Sequence, residues 1–239
     1  MLKNSAFIVI FSLQFISAAC AREPLEVVTE DWPPYSFLLP DGTVGGIATE
    51  KVRTVLDKAG LEYRINLYPW VRAYKMALTQ KNVLIYSIYR SKERESKFQW
   101  LCPLLPTHPM YFYALSSRKD IKVKTLEDLK QYTIGITKEE YGYQYLLEHG
   151  FKENKQLDIT PNYDINLRKL IEKRVDFIVE SSHTMQMRLQ DIGYNFERVT
   201  PVFEMDTDTV ADNCMAFSLK TPPEIVEQVR EVFFQQTGR

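Results

Sequence analysis

The sequence predicts an α/β protein made of two hinged lobes, each with a mostly parallel sheet. Short apolar runs of strand length alternate with helix-length amphipathic patterns from residue 25 to residue 88. After a proline-rich segment at residues 102–109 the same alternation begins again. The last helix is free to return to the first array. Two successive arrays of this kind, joined by extended crossovers, predict a cleft between two lobes.

The first lobe is expected to span residues 22–109 together with 220–239, and the second lobe residues 110–219. In the first lobe the patterns predict strands at 25–28, 63–68 and 84–88, and helices at 47–59 and 70–80. Pro33 and Pro34 exclude a helix or a central strand after the first strand. Trp32 and Tyr35 are therefore expected on a stiff loop.

The second lobe repeats the alternation. Thr125 and Asp128 have the spacing of a capping box at the start of a short helix. Strands are predicted at 110–115, 132–136, 157–160 and 175–180, helices at 139–148, 165–172 and 184–192, and an extended run at 214–219. A final helix begins at Thr221, with Pro222 in its first turn.

The first 21 residues have the pattern of a secretory signal peptide. Lys3 supplies the positive charge, residues 6–16 form an apolar core too short for a membrane span, and small residues follow. Cleavage is expected after Ala21, which places the protein in the periplasm. Cleavage before Cys20, with a lipid on its thiol, is the alternative.

Charge and composition exclude several classes of protein. Thirty basic and 31 acidic residues give a formal net charge of −1 and no basic stripe, so nucleic-acid binding is not expected. The three histidines lack ligand spacing, so neither a metal nor another cofactor is expected. Cys102 and Cys214 remain after export, and a chain of this size does not require their disulfide. The sequence therefore favours two unpaired thiols.

The stretch 84–105 (LIYSIYRSKERESKFQWLCPLL) carries the candidate binding residue Arg94. An apolar strand leads into a charged loop and then into aromatic residues, and the Cys102–Pro103 step is expected to end any regular element. Ligands of open α/β sheets bind past the carboxyl ends of the strands, where this loop lies. A guanidinium there can hold a carboxylate through two parallel hydrogen bonds. The alternative is a solvated loop with exchangeable surface ion pairs.

Several segments together resemble the bacterial extracellular solute-binding proteins of family 3, the periplasmic amino-acid-binding type. They are 27–37 (VVTEDWPPYSF), 45–47 (GGI), 69–73 (PWVRA), 90–95 (RSKERE), 126–130 (LEDLK), 134–136 (IGI) and 174–179 (RVDFIV). Their order and spacing cover nearly the whole exported chain. The resemblance implies the two-lobed type II periplasmic-binding-protein fold, closing on a small solute without catalysis.

The resemblance also implies candidate ligand residues. Arg94 matches the arginine that holds a ligand carboxylate, with Ser91 beside it. The other candidates in the first lobe are Trp32, Tyr35, Trp70, Arg72 and Ser87, and those in the second lobe are Thr137, Tyr141, Glu180 and Ser181. For Trp70, packing in the core is an equal alternative.

Two departures from the family pattern bear on the ligand. Ser181 stands where the family often has an aspartate for the ligand amino group, and Glu180 precedes it. Glu139 and Glu140 stand at a helix start that usually meets the ligand carboxylate. We expect at least one of the two glutamates only to complement the helix dipole at the surface. A ligand with a cationic group is the alternative.

The expected function is periplasmic binding of a small polar solute, an amino acid or a similar molecule, by a monomer that delivers it to an ABC transporter. The alternative is a ligand-sensing receptor with no transport role, because the pocket would look the same in either. The partner would be a membrane permease or a sensor. No enzymatic activity is expected, since the two adjacent glutamates do not face one another on a helix.

Overall fold

The computed structural model describes residues 23–206 and 212–237. A first sheet contains strands β1 (Leu25–Thr29), β4 (Tyr63–Leu67), β5 (Val83–Tyr89), β6 (Phe98–Leu105) and β12 (Asn213–Ser218). Its strand order is β4-β1-β5-β12-β6. β1 pairs in parallel with β4 and β5, whereas β12 is antiparallel to β5 and β6. A small hairpin, β2 (Phe37–Leu38) with β3 (Val44–Gly45), follows β1.

A second sheet contains strands β7 (Met110–Leu115), β8 (Ile134–Thr137), β9 (Leu157–Thr160), β10 (Phe177–Ser181) and β11 (Val199–Glu204). Its order is β11-β7-β10-β8-β9. The strands β8, β9 and β10 pair in parallel, and β7 is antiparallel to both β10 and β11. Each sheet is therefore mixed, with a parallel part that carries the crossover helices.

Helices cover both faces of each sheet. They are α1 (Ile47–Lys58), α2 (Trp70–Thr79), α3 (Tyr141–Glu148), α4 (Tyr163–Ile171), α5 (Ser182–Asp191) and α6 (Pro223–Thr237). In the first lobe α1 and α6 share one core with the sheet, and α2 packs on the other face. In the second lobe α3 packs on one face, and α4 and α5 on the other. Short 3₁₀ helices include Leu126–Gln131, which Thr125 and Asp128 start with the predicted capping box.

Strand β6 corrects one expectation. The Cys102–Pro103 peptide bond is cis, yet β6 continues through it to Leu105. Because β6 is the outermost strand of the first sheet, a residue without a backbone N–H can stand there without breaking a central ladder. The sequence pattern also failed to predict β2, β3 and β11.

The position of strand β12 shows that the expected boundary between the lobes was wrong. The expected return to the first lobe began at residue 220, but β12 already lies between β5 and β6 in the first sheet. Two segments therefore cross from the first sheet to the second and back, one after β6 and one before β12. Both crossovers therefore leave the first sheet from the neighbouring strands β6 and β12.

The two cysteines are joined, contrary to the expectation of free thiols. Cys102 and Cys214 form a disulfide with their Cα atoms 4.7 Å apart. The physical reason is topological: β6 and β12 are neighbours in the first sheet, which brings residues 112 positions apart into register. The separation in sequence gave no sign of this pairing.

No described helix has both the length and the apolar character required to cross a membrane. The expected signal peptide, Cys20 and the last two residues lie outside the described residues.

Candidate binding site

A cavity of about 50 Å³ lies between the two sheets. Both lobes line it: Glu30, Asp31, Trp32, Trp70, Ser87, Tyr89, Arg94, Met110, Ile136, Glu140, Tyr141, Gly142, Tyr163, Val179, Glu180 and Arg188. A water molecule needs about 10–15 Å³ on this measure, so the cavity holds several waters or one small solute group. Many of its walls are aromatic, and its polar groups are mostly charged.

Arg94 forms one side of the cavity and is 1% exposed. Its terminal nitrogens donate to the carbonyl of Tyr89 at 2.9 Å and, across the cleft, to the carbonyl of Glu139 at 2.6 Å. The guanidinium lies over the rings of Trp70 and Tyr74, at 5.5 and 5.2 Å. Burial lowers its pKa, but an arginine remains charged. Its Nε has no hydrogen-bond partner among the described residues.

Two more polar groups of the first lobe are buried at this wall without a hydrogen-bond partner in the described chain. They are the Nε1 of Trp70, on a side chain 3% exposed, and the hydroxyl of Ser87, on a side chain 4% exposed. Ser87 is the extra residue of a β-bulge: opposite β12 the pairing passes from Ile88–Cys214 to Tyr86–Met215. Its φ of 60° lies in the left-handed region, and bulges are known to re-aim side chains at functional sites.

Three carboxylates, Glu30, Glu140 and Glu180, also line the cavity, and we call them the acidic wall. Glu30 follows β1, Glu140 is the N-cap of α3, and Glu180 is near the end of β10. All three thus lie at or near the carboxyl ends of strands, the usual ligand position in α/β sheets. Among the described residues none of the three forms an ion pair.

The surroundings of the acidic wall disfavour ionisation of its three carboxyl groups. Burial raises the pKa of Glu140 to about 8, although hydrogen bonds from Thr137 oppose the shift. Burial also raises the pKa of Glu180 to about 7. The backbone N–H of Ser181 donates to this carboxylate at 2.7 Å, which partly opposes the rise. The pKa of Glu30 is raised well above its ordinary value by burial and by the nearby charges of Glu140 and Glu180. A cation in the cavity would reverse these shifts.

Arg188 on α5 lies at the mouth of the cavity and is 4% exposed. It donates to the Asp164 carboxylate at 2.5 Å and, across the cleft, to the Asp31 carbonyl oxygen at 2.5 Å. Its guanidinium lies 4.8 Å above the ring of Tyr163. Arg94 and Arg188 therefore make reciprocal contacts, each donating from its own lobe to a backbone carbonyl of the other.

Six of the residues predicted for the site do line the cavity: Arg94, Trp32, Trp70, Ser87, Tyr141 and Glu180. The other five do not. The hydroxyl of Ser91 accepts from the Arg94 backbone N–H and shapes the loop. Tyr35 is buried against Trp32, with ring centroids 4.6 Å apart. Arg72 is exposed and lies over the ring of Tyr68.

The remaining two residues support the second lobe. Thr137 is fully buried and accepts from the side chain of Asn166. Ser181 is the N-cap of α5, where its hydroxyl accepts from the Thr184 backbone N–H. The family resemblance marks position 181 for a side chain that binds the amino group of the ligand. In this protein that side chain caps a helix instead. Glu180, one residue earlier, faces the cavity instead.

Sequence reasoning missed several lining residues, above all Glu30, Asp31, Tyr163 and Arg188. A signal existed for the first two, since they directly follow a predicted strand. None existed for Tyr163 and Arg188, because they stand on two helices and meet only in the fold. Of the two adjacent glutamates, Glu140 lines the cavity and Glu139 does not.

The sequence matches one family model, "Bacterial extracellular solute-binding proteins, family 3", over residues 25–192. The protein belongs to this family. A search of curated protein sequences found no match. Membership agrees with the two lobes, the crossovers and a cavity between the sheets, and it confirms the family resemblance of the sequence.

Solved structures show the same two-lobed type II fold at low identity. An ancestral arginine-binding protein bound to arginine is 17% identical, with a TM-score of 0.75 over 91% of this chain and 93% of that chain. A histidine kinase sensor domain similar to periplasmic binding proteins is 20% identical, with a TM-score of 0.73 over 91% and 92%. The arginine-, lysine-, histidine-binding protein ArtJ from Geobacillus stearothermophilus is 16% identical, with a TM-score of 0.73 over 90% and 91%.

Proposed function

We propose that this family member binds a small solute with a cationic group, an amino acid or a similar molecule, in the cavity between its lobes. The observation that carries the proposal is the acidic wall: three buried or half-buried carboxylates share one cavity without an ion pair. Buried charges are stable only when they are paired or neutralised. A cationic ligand group would supply the missing partner.

The charge balance of the lining supports a cation. Four carboxyl groups, on Glu30, Asp31, Glu140 and Glu180, line the cavity with two guanidinium groups, on Arg94 and Arg188, so its acidic groups outnumber its basic groups by two. The Arg188 guanidinium forms ion pairs with Asp31 and Asp164 at the mouth of the cavity. The aromatic rings of Trp32, Tyr89 and Tyr141 add faces on which a cation can rest.

Three hydrogen-bonding groups of the first lobe would orient the ligand. Trp70 Nε1, Ser87 Oγ and Arg94 Nε are hydrogen-bonding groups left over by the protein's own contacts. They are suited to a hydrogen-bond acceptor on the ligand. The solved neighbours include proteins described as binding arginine, or arginine, lysine and histidine, which is consistent with a cationic ligand.

We place the protein in the periplasm, exported by the signal peptide expected at residues 1–21, where it would act as a monomer and deliver its ligand to an ABC transporter. The likeness to a histidine kinase sensor domain favours one alternative, a sensing role without transport. Capture of a permease from detergent-solubilised membranes by the ligand-loaded protein would support transport. Capture of a sensor protein only would support the alternative.

A thermal-shift screen of the exported protein, beginning at Arg22, tests the proposal with matched pairs. Lysine is compared with norleucine, and arginine with citrulline, because each pair differs mainly in one positive charge. A ligand that binds only the folded state raises the melting temperature. We expect stabilisation by cationic members only. Equal stabilisation by the neutral members, or by acidic solutes, would refute a cation-binding site.

A further inference from the structure

The acidic wall is built from both lobes. Glu30 follows β1 of the first sheet, whereas Glu140 and Glu180 belong to the second lobe. The three carboxyl groups line one cavity of about 50 Å³, with Glu180 buried and the other two half-buried. Closure of the lobes therefore brings Glu30 to two acidic groups of the other lobe, and the three disfavour one another's ionisation.

The two arginines at the cavity have other partners. Arg188 forms its ion pairs with Asp31 and Asp164, and the terminal nitrogens of Arg94 donate to two backbone carbonyls. The charge of Arg188 favours ionisation of the acidic wall, but burial has the larger effect on all three carboxyl groups. Desolvated carboxyl groups that lack a cation of their own bind protons instead of carrying charge.

The other ionisable groups near the acidic wall supply no cation either. They are Asp31, which acts on Glu30, and the hydroxyl groups of Tyr35, Tyr89, Tyr113 and Tyr163, which interact with Glu180. Tyrosine hydroxyls are neutral well above pH 8, and an aspartate adds negative charge. In the described chain no lysine or histidine lines the cavity. The positive charge that would ionise the acidic wall must therefore come with the ligand.

We propose that protons and the ligand cation compete for the acidic wall, so that binding of a cationic ligand releases protons and weakens as the pH falls. The inference rests on the proposed function and adds the regulation of the same site. Without a ligand, protons on the carboxyl groups keep the acidic wall neutral. The incoming cation takes their place, the protons pass to the solvent, and the ionised carboxylates become its counter-charges. The competition is the same whether or not the ligand also presents a carboxylate to the donors of the first lobe.

The pH range of the competition follows from the groups of the acidic wall. Burial raises the pKa of Glu140 to about 8 and that of Glu180 to about 7, so both are largely protonated at pH 6. A bound cation lowers both pKa values. Between about pH 5.5 and pH 7.5 we expect about one proton to leave for each cation bound. The affinity should then fall about tenfold for each unit by which the pH is lowered.

Isothermal titration of the exported protein with L-arginine and with L-lysine tests the inference. Measurements at pH 6.5 in phosphate and in MES count the released protons, because the two buffers take up a proton with different heats. The side-chain cations of both amino acids stay charged in this range. We expect release of about one proton, and binding about tenfold weaker at pH 5.5 than at pH 6.5.

The outcomes separate the inference from the proposed function. Binding with equal heats in the two buffers would overturn the inference and leave the proposed function standing. If neither amino acid binds at any pH between about 5.5 and 8.5, the proposed function fails, and the inference with it.

A variant assigns the proton to the acidic wall. Glu140→Gln keeps the shape of the side chain and removes one titrating group, so about half as many protons should be released and the affinity should depend less on pH. Glu148→Gln, at the exposed end of the same helix, is the matched control and should release as many protons as the wild type. Circular dichroism and melting temperature verify that both variants fold. Unchanged proton release in Glu140→Gln would overturn the role given to this residue.

Discussion

At the scale of single residues, Glu180 is the most buried carboxylate of the acidic wall, at 4% exposed. It receives a hydrogen bond from the Ser181 backbone N–H, which fixes one oxygen, but no lysine or arginine forms an ion pair with it in the described residues. A fixed and desolvated carboxylate of this kind is well placed to select a cation, because little reorganisation is needed when the cation arrives.

Glu180→Gln should weaken binding of a cationic ligand by about 10- to 100-fold, because a hydrogen bond to a charged group contributes about 1.5–3 kcal/mol. Isothermal titration with the strongest cationic ligand of the thermal-shift screen measures the change. Glu231→Gln, on the exposed side of α6, is the control and should bind as the wild type does. Wild-type affinity in Glu180→Gln would remove this residue from the site.

The acidic wall should also make stability depend on pH in an unusual direction. Glu140 and Glu180 have pKa values of about 8 and about 7 in the folded chain, above the ordinary 4.5. Between about pH 4.5 and pH 8 the folded state binds more protons than the unfolded state at these two groups. Their contribution to the free energy of unfolding therefore falls as pH rises through this range.

Urea denaturation between pH 5 and pH 8.5 measures that dependence, with no ligand added. The double variant Glu140→Gln/Glu180→Gln should show a flatter curve than the wild type. Addition of the cationic ligand should also flatten the curve, since a cation favours the ionised carboxylates. Equal slopes of the wild-type and double-variant curves would contradict the raised pKa values.

Several residues of the site could be predicted from the sequence because they stand at or near the ends of predicted strands. Arg94, Trp32 and Glu180 stand in loops or strand ends that a parallel sheet must bring to one edge. Ser181 was expected to replace an acidic ligand group, but a helix N-cap competes for the same hydroxyl and prevails. Arg188 could not be predicted, because its partners Asp31 and Asp164 lie far from it in sequence.

At the scale of secondary structure, the disulfide between β6 and β12 joins two neighbouring strands of the first sheet. The crosslink closes a loop with a sequence separation of 112 residues, which contains the whole second lobe. Loops of this length restrict the unfolded chain strongly. The bond also holds β12 beside β6, at the point where the chain returns from the second lobe.

Removing both cysteines, with Cys102→Ser/Cys214→Ser, should lower the free energy of unfolding by about 2–4 kcal/mol. Urea denaturation of the wild type and of the double variant measures the loss, and the wild type in reducing agent is the control for the serine substitutions. Ligand affinity should change little, because neither cysteine lines the cavity. Equal stability of the oxidised wild type and the variant would show that the bond does not form in the folded protein.

Most helices and strands were predictable because their apolar periodicity is strong, and their bounds shift by only a few residues. The exceptions have physical reasons. The hairpin strands β2 and β3 have two residues each, too few for a periodic pattern. In β6 and β11 the prolines Pro103 and Pro201 suggest a break, yet both strands lie at a sheet edge where a missing N–H is tolerated.

At the scale of the whole molecule, two arginines hold the lobes together from opposite sides. Arg94 donates from the first lobe to Glu139, and Arg188 donates from the second lobe to Asp31. Each arginine donates to a backbone carbonyl of the other lobe, and Arg188 also lies 3.4 Å from the Asp31 carboxylate, so these contacts form only when the lobes are close together. These contacts should stabilise the closed arrangement around the cavity.

Arg188→Gln should favour a more open molecule. Loss of a charge-assisted hydrogen bond weakens the closed state by about 1.5–3 kcal/mol. Small-angle X-ray scattering should show a larger radius of gyration than for the wild type, and ligand dissociation should be faster. Arg72→Gln, an exposed arginine outside the cavity, is the control and should change neither quantity. An unchanged radius and dissociation rate in Arg188→Gln would exclude a role in closure.

The order of elements along the chain was sufficient to predict two α/β lobes, because alternating strands and helices have few topologies. It was insufficient to place β12, whose apolar pattern fits either sheet. The relative position of the lobes depends on contacts between residues such as Arg188 and Asp31, 157 positions apart, which no local pattern encodes.

A crystal structure of the protein with its strongest cationic ligand tests the central claim most directly. We expect the ligand nitrogen to lie about 3 Å from a carboxylate oxygen of Glu30, Glu140 or Glu180, inside the cavity and beside the aromatic rings. A ligand bound elsewhere, or bound in the cavity with its cation directed away from all three carboxylates, would contradict the account.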